Sequence, residues 1–164
     1  MSLIRSPSHT GARGEHLFEG YFLEQGTFIA APKHDLHRVD FVVEWNERLV
    51  RVNVKTMYFR KNCYECSLKT SAGSNRKTKR KYLPGEIDYF GIVSLEYQRI
   101  WMVPRDAVSV SKLLWHPPGK FHRKRFDSFN WDPYLITGNA NEKQLSMDSY
   151  LTNGVGNTDS INFS

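Results

Sequence analysis

The sequence predicts an α/β fold built on a mixed central β-sheet flanked by helices. Three observations carry this prediction. Residues 11–25 place apolar side chains at helical spacing, residues 39–56 alternate as two adjacent strands around a tight turn, and strand-like runs recur at 87–94 and 99–103. The chain has 164 residues, which suits one domain with a real core. With 40% hydrophobic and 13% aromatic residues, the body is globular and not disordered.

Taken in order, residues 1–10 read as a loose lead-in. In the first helix Leu17, Phe18, Tyr21 and Phe22 form an apolar stripe, and Gly26 stands where a C-terminal cap belongs. Residues 27–31 suit a short strand and 32–38 a loop. Val39 to Trp45 and Arg48 to Thr56 then form a hairpin through Asn46-Glu47. Alternation turns Val50, Val52 and Val54 into a core and Arg51, Asn53 and Lys55 the other way. A third strand is expected at 64–70, a basic loop at 71–81 and a turn at Tyr82-Leu83-Pro84-Gly85. After the strands at 87–94 and 99–103, Pro104 is expected to start a short helix with Val108 and Leu113-Leu114 as its apolar positions. The single domain would run over 11–152, with a core at 11–115 and an aromatic and basic extension at 116–152. Residues 153–164 read as a flexible tail.

Charge and cysteine usage narrow the function. The formal net charge is +6 and the pI about 9.4, so an acidic polymer is a fitting partner, although a merely soluble basic protein has the same balance. Cys63 and Cys66 lack further ligands at zinc spacing and are expected on a strand. No apolar run approaches the roughly 20 residues of a membrane span. Met1-Ser2-Leu3-Ile4-Arg5-Ser6 has no apolar leader core. The expectation is a cytoplasmic protein with no membrane partner.

The hairpin carries the chemistry. It returns Asp40 toward Asn53 and Lys55, putting a carboxylate, a neutral oxygen ligand and an ammonium on one side of a sheet. Phosphodiester hydrolysis needs an activated water and charge relief at phosphate, which a divalent metal on hard oxygen ligands supplies. Asp40 is the first candidate ligand, Asn53 and the Val54 backbone carbonyl are the next, and Glu15 on the first helix is a second carboxylate. Lys55 would orient the water or stabilise the transition state. Singly, each has an ordinary reading: a strand-edge acid, a surface amide, a solvent-facing lysine, a helix-dipole glutamate. Glu19 is the substitute for Glu15. His34, Asp35 and His37 are loop residues that could bind metal or phosphate, and Asp88 reads as a structural strand-start acid.

The array Gly14-Glu15, Gly26, Arg38-Val39-Asp40-Phe41-Val42-Val43 and Arg51-Val52-Asn53-Val54-Lys55-Thr56 resembles the PD-(D/E)xK nuclease superfamily. Within it, the chain is similar to the branch with homing endonucleases of cyanobacterial tRNA introns. Tyr82-Leu83-Pro84-Gly85-Glu86-Ile87-Asp88-Tyr89-Phe90 and Trp101-Met102-Val103-Pro104 add to the resemblance. It implies a PD-(D/E)xK-like core and a Mg²⁺-dependent, Mn²⁺-tolerant, site-specific endonuclease of double-stranded DNA. It also implies roles for Glu15 as helix acid, Asp40 as metal-binding aspartate and Lys55 as the lysine of the motif. Asn53 departs from the family. Most members carry Asp or Glu there and this branch Gln, so the site has one negative charge fewer and weaker metal affinity is expected.

Basic residues supply candidate DNA contacts: Arg60, Lys61, Arg76, Lys77, Lys79, Arg80 and Lys81, and in the second run Arg123 and Lys124 with Lys120 and Arg125. Arg76, Lys79 and Arg80 are the expected base readers. One small domain makes one active site, so cutting both strands calls for a homodimer or homotetramer. Aromatics within 121–134 would form the interface or pack on their own domain. The alternatives are a Holliday-junction resolvase-like or restriction-type nuclease, and a catalytically inert DNA-binding module.

Overall fold

The structure, a computed structural model, describes residues 7–33, 38–71, 79–117 and 129–137. Helix α1 (Pro7–Glu24) is followed by β1 (Ile29–Ala30), β2 (Phe41–Trp45), β3 (Arg48–Thr56), β4 (Tyr58–Arg60), β5 (Cys63–Ser67), β6 (Lys69–Ser71), β7 (Lys79–Lys81), β8 (Tyr89–Ser94), β9 (Arg99–Pro104) and β10 (Lys112–Trp115). A five-stranded sheet has the order β1-β2-β3-β8-β9, with β3 and β8 parallel and the other neighbours antiparallel. The expected mixed central sheet is therefore present.

The stripe of α1 behaves as expected. Phe18 and Phe22 are buried against Phe41, Val43, Val50, Val52 and Val54, with Leu17 and Tyr21 packed at the margin. Gly26 caps the helix with φ +67°. The helix begins earlier than expected, because residues 7–10 form its first turn and Pro7 suits a position whose N–H is unpaired anyway. Two glycines let it lie close. A Cβ on Gly14 would stand 1.9 Å from Thr56 Oγ1, and one on Gly91 of β8 would stand 2.5 Å from Phe18 Cε2.

The opposite face of the sheet is covered by a second sheet, ordered β10-β5-β4. Phe90, Ile92, Trp101 and Val103 pack there against Met57, Tyr64, Cys66, Leu68, Leu113 and Trp115. Three expectations change at this layer. The helix expected from Pro104 is a single 3₁₀ turn, Arg105–Ala107, followed by β10. Leu113 and Trp115 are buried and Lys112 is exposed, a period of two that pairs with β5. The strand expected at 64–70 divides at Leu68: its N–H, bonded to Ser111 O at 3.0 Å, continues the β5–β10 register, and from Lys69 the chain pairs with β7 instead. Part of the expected loop at 71–81 is strand β7, paired with β6 as a separate ribbon. Cys63 and Cys66 are both buried on β5 and form no disulfide.

The hairpin turn at Asn46-Glu47 has φ of 50° and 61°, the type I′ signature that matches strand twist. Lys61-Asn62 repeats it between β4 and β5, with φ of 51° and 66°. Of the C-terminal aromatics, Phe129, Trp131 and Tyr134 pack on the body, and Trp131 Nε1–H donates to Leu114 O at 2.9 Å. Phe121 and Phe126 lie outside the described residues. No helix among the described residues is long and apolar enough to cross a membrane.

The Phe18–Gly91 contact leads to a prediction. Gly91→Ala forces the ring of Phe18, fully buried, off its seat. The expected cost is about 1–3 kcal/mol in urea unfolding. An unchanged midpoint would show that α1 is not seated by this contact.

Candidate active site

The geometry of the site begins with β3. Its even residues face α1, so Asn53 and Lys55 face the second sheet, as alternation required. The register Phe41↔Val52 extends by one step to set Asp40 opposite Asn53. Asp40 N–H donates to Val52 O at 2.9 Å, and the Asp40 carboxylate accepts the Val54 N–H at 2.6 Å. A strand residue sends its N–H and C=O to the same side, so the Val54 carbonyl also faces Asp40, past the start of β2. Asp40, Asn53, Val54 and Lys55 are thus brought together.

Each polar group in this cluster is constrained. Asn53 is 6% exposed and its Nδ2 donates to Arg38 O at 2.9 Å. That bond fixes the amide orientation, because a flipped amide would set two oxygens face to face. Its Oδ1 is buried with no hydrogen-bond partner. A buried carbonyl oxygen without a donor costs about 1–3 kcal/mol. Lys55 holds its Nζ over the Tyr82 ring, 5.5 Å from the centroid, a cation–π contact. Beneath it, burial pushes the Cys66 thiol up to about 12, with Lys55 acting in opposition. That thiol remains protonated and serves as core.

Burial also raises the Asp40 carboxyl above its ordinary value, against the lowering effect of the Val54 N–H and the Lys55 ammonium. Asp40 Oδ2, Asn53 Oδ1 and the Val54 carbonyl form a set of hard oxygen donors containing an orphan, which fits a divalent cation such as Mg²⁺. Among the described residues, no group of three or more His, Cys, Asp or Glu could hold a metal ion. The donor set is therefore poor in acids, as Asn53 implied.

Glu15 is placed differently. It follows Gly14, which sits on Thr56 at the end of β3, and its side chain is exposed. Glu19 is half-buried on the same helix. His34, Asp35 and His37 lie outside the described residues. Asp88 has the structural place expected of it, pairing with Arg51 at 2.8 Å and accepting the Arg51 N–H, which holds its carboxyl below the usual range.

The basic candidates divide. Lys79 and Lys81 are exposed on the ribbon, and Lys81 Nζ reaches Ser109 O at 2.7 Å. Arg80 is paired with Glu86 through its Nη1 at 2.8 Å and also through its Nη2. Arg60 and Lys61 are exposed at the β4–β5 turn, where Arg60 reaches Glu65 at 3.4 Å. Arg76, Lys77, Arg123 and Lys124 lie outside the described residues, as do Lys120 and Arg125. Three residues beside the site had no role assigned from sequence: Tyr82, Arg38 and Glu86. Tyr82 and Glu86 lie near the Pro84-Gly85 turn, and no short-range spacing ties them to residues 38–55.

A five-stranded mixed sheet with a helix on one face and an acid, an amide and a lysine across β2 and β3 defines a nuclease-type α/β core. The chain belongs to the PD-(D/E)XK endonuclease family, whose match spans residues 6–130. Among solved structures it is similar to that of a bacterial homing endonuclease, I-Ssp6803I, with a TM-score of 0.66 and 16% identity. The match covers 93% of this chain and 100% of that one, and it establishes the shared fold. No curated protein matches the chain.

The raised Asp40 has a consequence for stability. Its proton is held more tightly folded than unfolded, so stability falls as pH rises from the ordinary carboxyl value of 3.8 through the raised one. Asp40→Asn keeps the Val54 acceptor and removes the charge. It is expected to raise the Tm in EDTA at pH 7 and to give no gain below the ordinary value. Melts across that range check this, and a variant that is less stable at pH 7 would contradict it.

Proposed function

We propose that the chain is a metal-dependent endonuclease of double-stranded DNA, of homing type, whose site is Glu15, Asp40, Asn53 and Lys55. The observation that carries this reading is the buried, unpartnered Asn53 Oδ1 opposite the Asp40 carboxylate and two residues from Lys55. Asp40, Asn53 and the Val54 carbonyl would hold the cation, with Glu15 as the second carboxylate. Bound there, Mg²⁺ or Mn²⁺ lowers the pKa of water and offsets phosphate charge. The chain's own groups do the rest. Asp40 stays seated through the Val54 N–H, and Lys55, steered by Tyr82, places a positive charge where the pentavalent phosphate develops negative charge.

The ribbon supports the duplex reading. A two-stranded β-ribbon fits the major groove, and Lys69, Lys79 and Lys81 are exposed on it. Arg60 and Lys61 add phosphate contacts at the next turn. Two strands require two sites, so the working form is a homodimer or homotetramer. The solved structure similar to this chain is titled a homing endonuclease, and this supports the homing role.

The test is cleavage of plasmid carrying the DNA that flanks the gene, in Mg²⁺ and in EDTA. Linear product only with metal is the expected result. Lys55→Ala should lower the rate about 10²- to 10³-fold, and Asp40→Ala should abolish product. Product confined to four-way junctions would replace this reading with a resolvase. Full cleavage by both variants would show the site to be elsewhere.

A further inference from the structure

Glu86 lies in the turn between the ribbon and β8, and three elements meet on its carboxylate. Oε1 accepts from Arg38 Nη1 at 2.6 Å, and Oε2 accepts from Arg80 Nη1 at 2.8 Å and from the Leu83 N–H at 2.7 Å. Arg80 belongs to ribbon strand β7. Arg38 stands two residues before Asp40, and its carbonyl is the acceptor that orients Asn53. All three side chains are a third exposed or less: 30% for Arg38, 28% for Arg80 and 23% for Glu86. The ion pairs are therefore stronger than surface pairs, and two guanidiniums on one carboxylate leave the cluster with a net positive charge.

The connection is mechanically short. From Arg80 it passes through one carboxylate to the Arg38 guanidinium, and through the Arg38 backbone to Asn53 and Asp40. The ribbon end is fixed on its other side, because Arg105 Nη2 donates to Tyr82 O at 2.9 Å and Lys81 Nζ to Ser109 O at 2.7 Å. A pull on β7 is thus transmitted to the edge of β2 instead of being lost in the turn.

We propose that Glu86 is a positioning residue that couples engagement of duplex phosphates on the β6–β7 ribbon to the arrangement of Asp40 and Asn53, through Arg38. The inference rests on the nuclease reading above and names how that site senses its substrate. Glu86 touches neither substrate nor cation. Its effect falls on the cleavage step and not on DNA affinity, because the exposed lysines of the ribbon are independent of it.

The experiment compares the unaltered chain with Glu86→Gln, with Arg38→Gln as a second variant that leaves the Glu86–Arg80 pair intact. Hydrogen exchange is measured with and without duplex DNA in EDTA, where no cleavage occurs, and single-turnover cleavage is measured in Mg²⁺. In the unaltered chain, DNA should protect both the ribbon at 79–83 and the edge at 38–44. In either variant, ribbon protection should persist while edge protection is lost. Duplex affinity of Glu86→Gln should be unchanged or slightly higher, since a negative charge is removed. Its cleavage rate should fall about 10- to 100-fold, the range for residues that orient a ligand from behind. Edge protection retained in both variants, or affinity and cleavage lost in proportion, would overturn the inference while leaving the nuclease reading standing. Absence of ribbon protection in the unaltered chain would overturn the inference and the ribbon's place in duplex binding.

Discussion

The burial of β3 on both faces is the constraint from which the rest of the structure follows. Its valines are sealed by α1, and its parallel pairing with β8 locks it into the middle of the sheet. Of the odd residues that face the second sheet, Asn53 is buried and Lys55 half-buried. Asn53 and Lys55 must place polar groups beside an aromatic core, and the core answers only partly: Arg38 O takes the amide of Asn53, the Tyr82 ring takes the ammonium of Lys55, and Asn53 Oδ1 is left without a donor. Burial that stabilises the strand also creates the unsatisfied oxygen. Functional sites are where folds carry such local costs.

Electrostatics around the site separates into two kinds. Asp40 is raised by burial, while Asp88 and Glu86 are lowered on balance: Asp88 chiefly by its hydrogen bonds to Arg51, and Glu86 by the Leu83 N–H and Arg80 acting against its burial. The lowered pair are fasteners: Asp88 closes β3 onto the start of β8, and Glu86 closes the ribbon onto the start of β2. The raised acid is the one whose charged form burial disfavours. Within one sheet, neighbouring carboxyl groups thus carry different tasks because their surroundings differ.

Much of this was legible in the sequence because it rests on local periodicity. The stripe Leu17, Phe18, Tyr21, Phe22 and the glycine cap at Gly26 gave α1. The alternation of residues 50–55, together with Asn46-Glu47, gave the hairpin, its register and the shared face of Asp40, Asn53 and Lys55. What was missed depends on contacts distant in sequence. Leu113-Leu114 suits a helix or a strand equally over four residues, and only pairing with residues 64–67 decides it. The division at Leu68 is set by a change of partner, from β10 to β7, and both partners lie later in the chain. The pairing of Arg80 with Glu86 was likewise not legible, because nothing in a basic run tells a guanidinium facing solvent from one facing a carboxylate.

Under the proposed function, Asn53 Oδ1 is an oxygen ligand for a divalent cation. Asn53→Asp tests it most directly. The change removes the donor to Arg38 O and sets a second carboxylate opposite Asp40, so the variant should melt lower than the unaltered chain in EDTA. A cation that binds this site should then stabilise the variant more than the unaltered chain, by mass action on a tighter site. Thermal melts in EDTA and in Mn²⁺ read both effects. A larger Mn²⁺-induced rise in Tm for Asn53→Asp is the predicted result, and an identical rise in the two proteins would contradict the account.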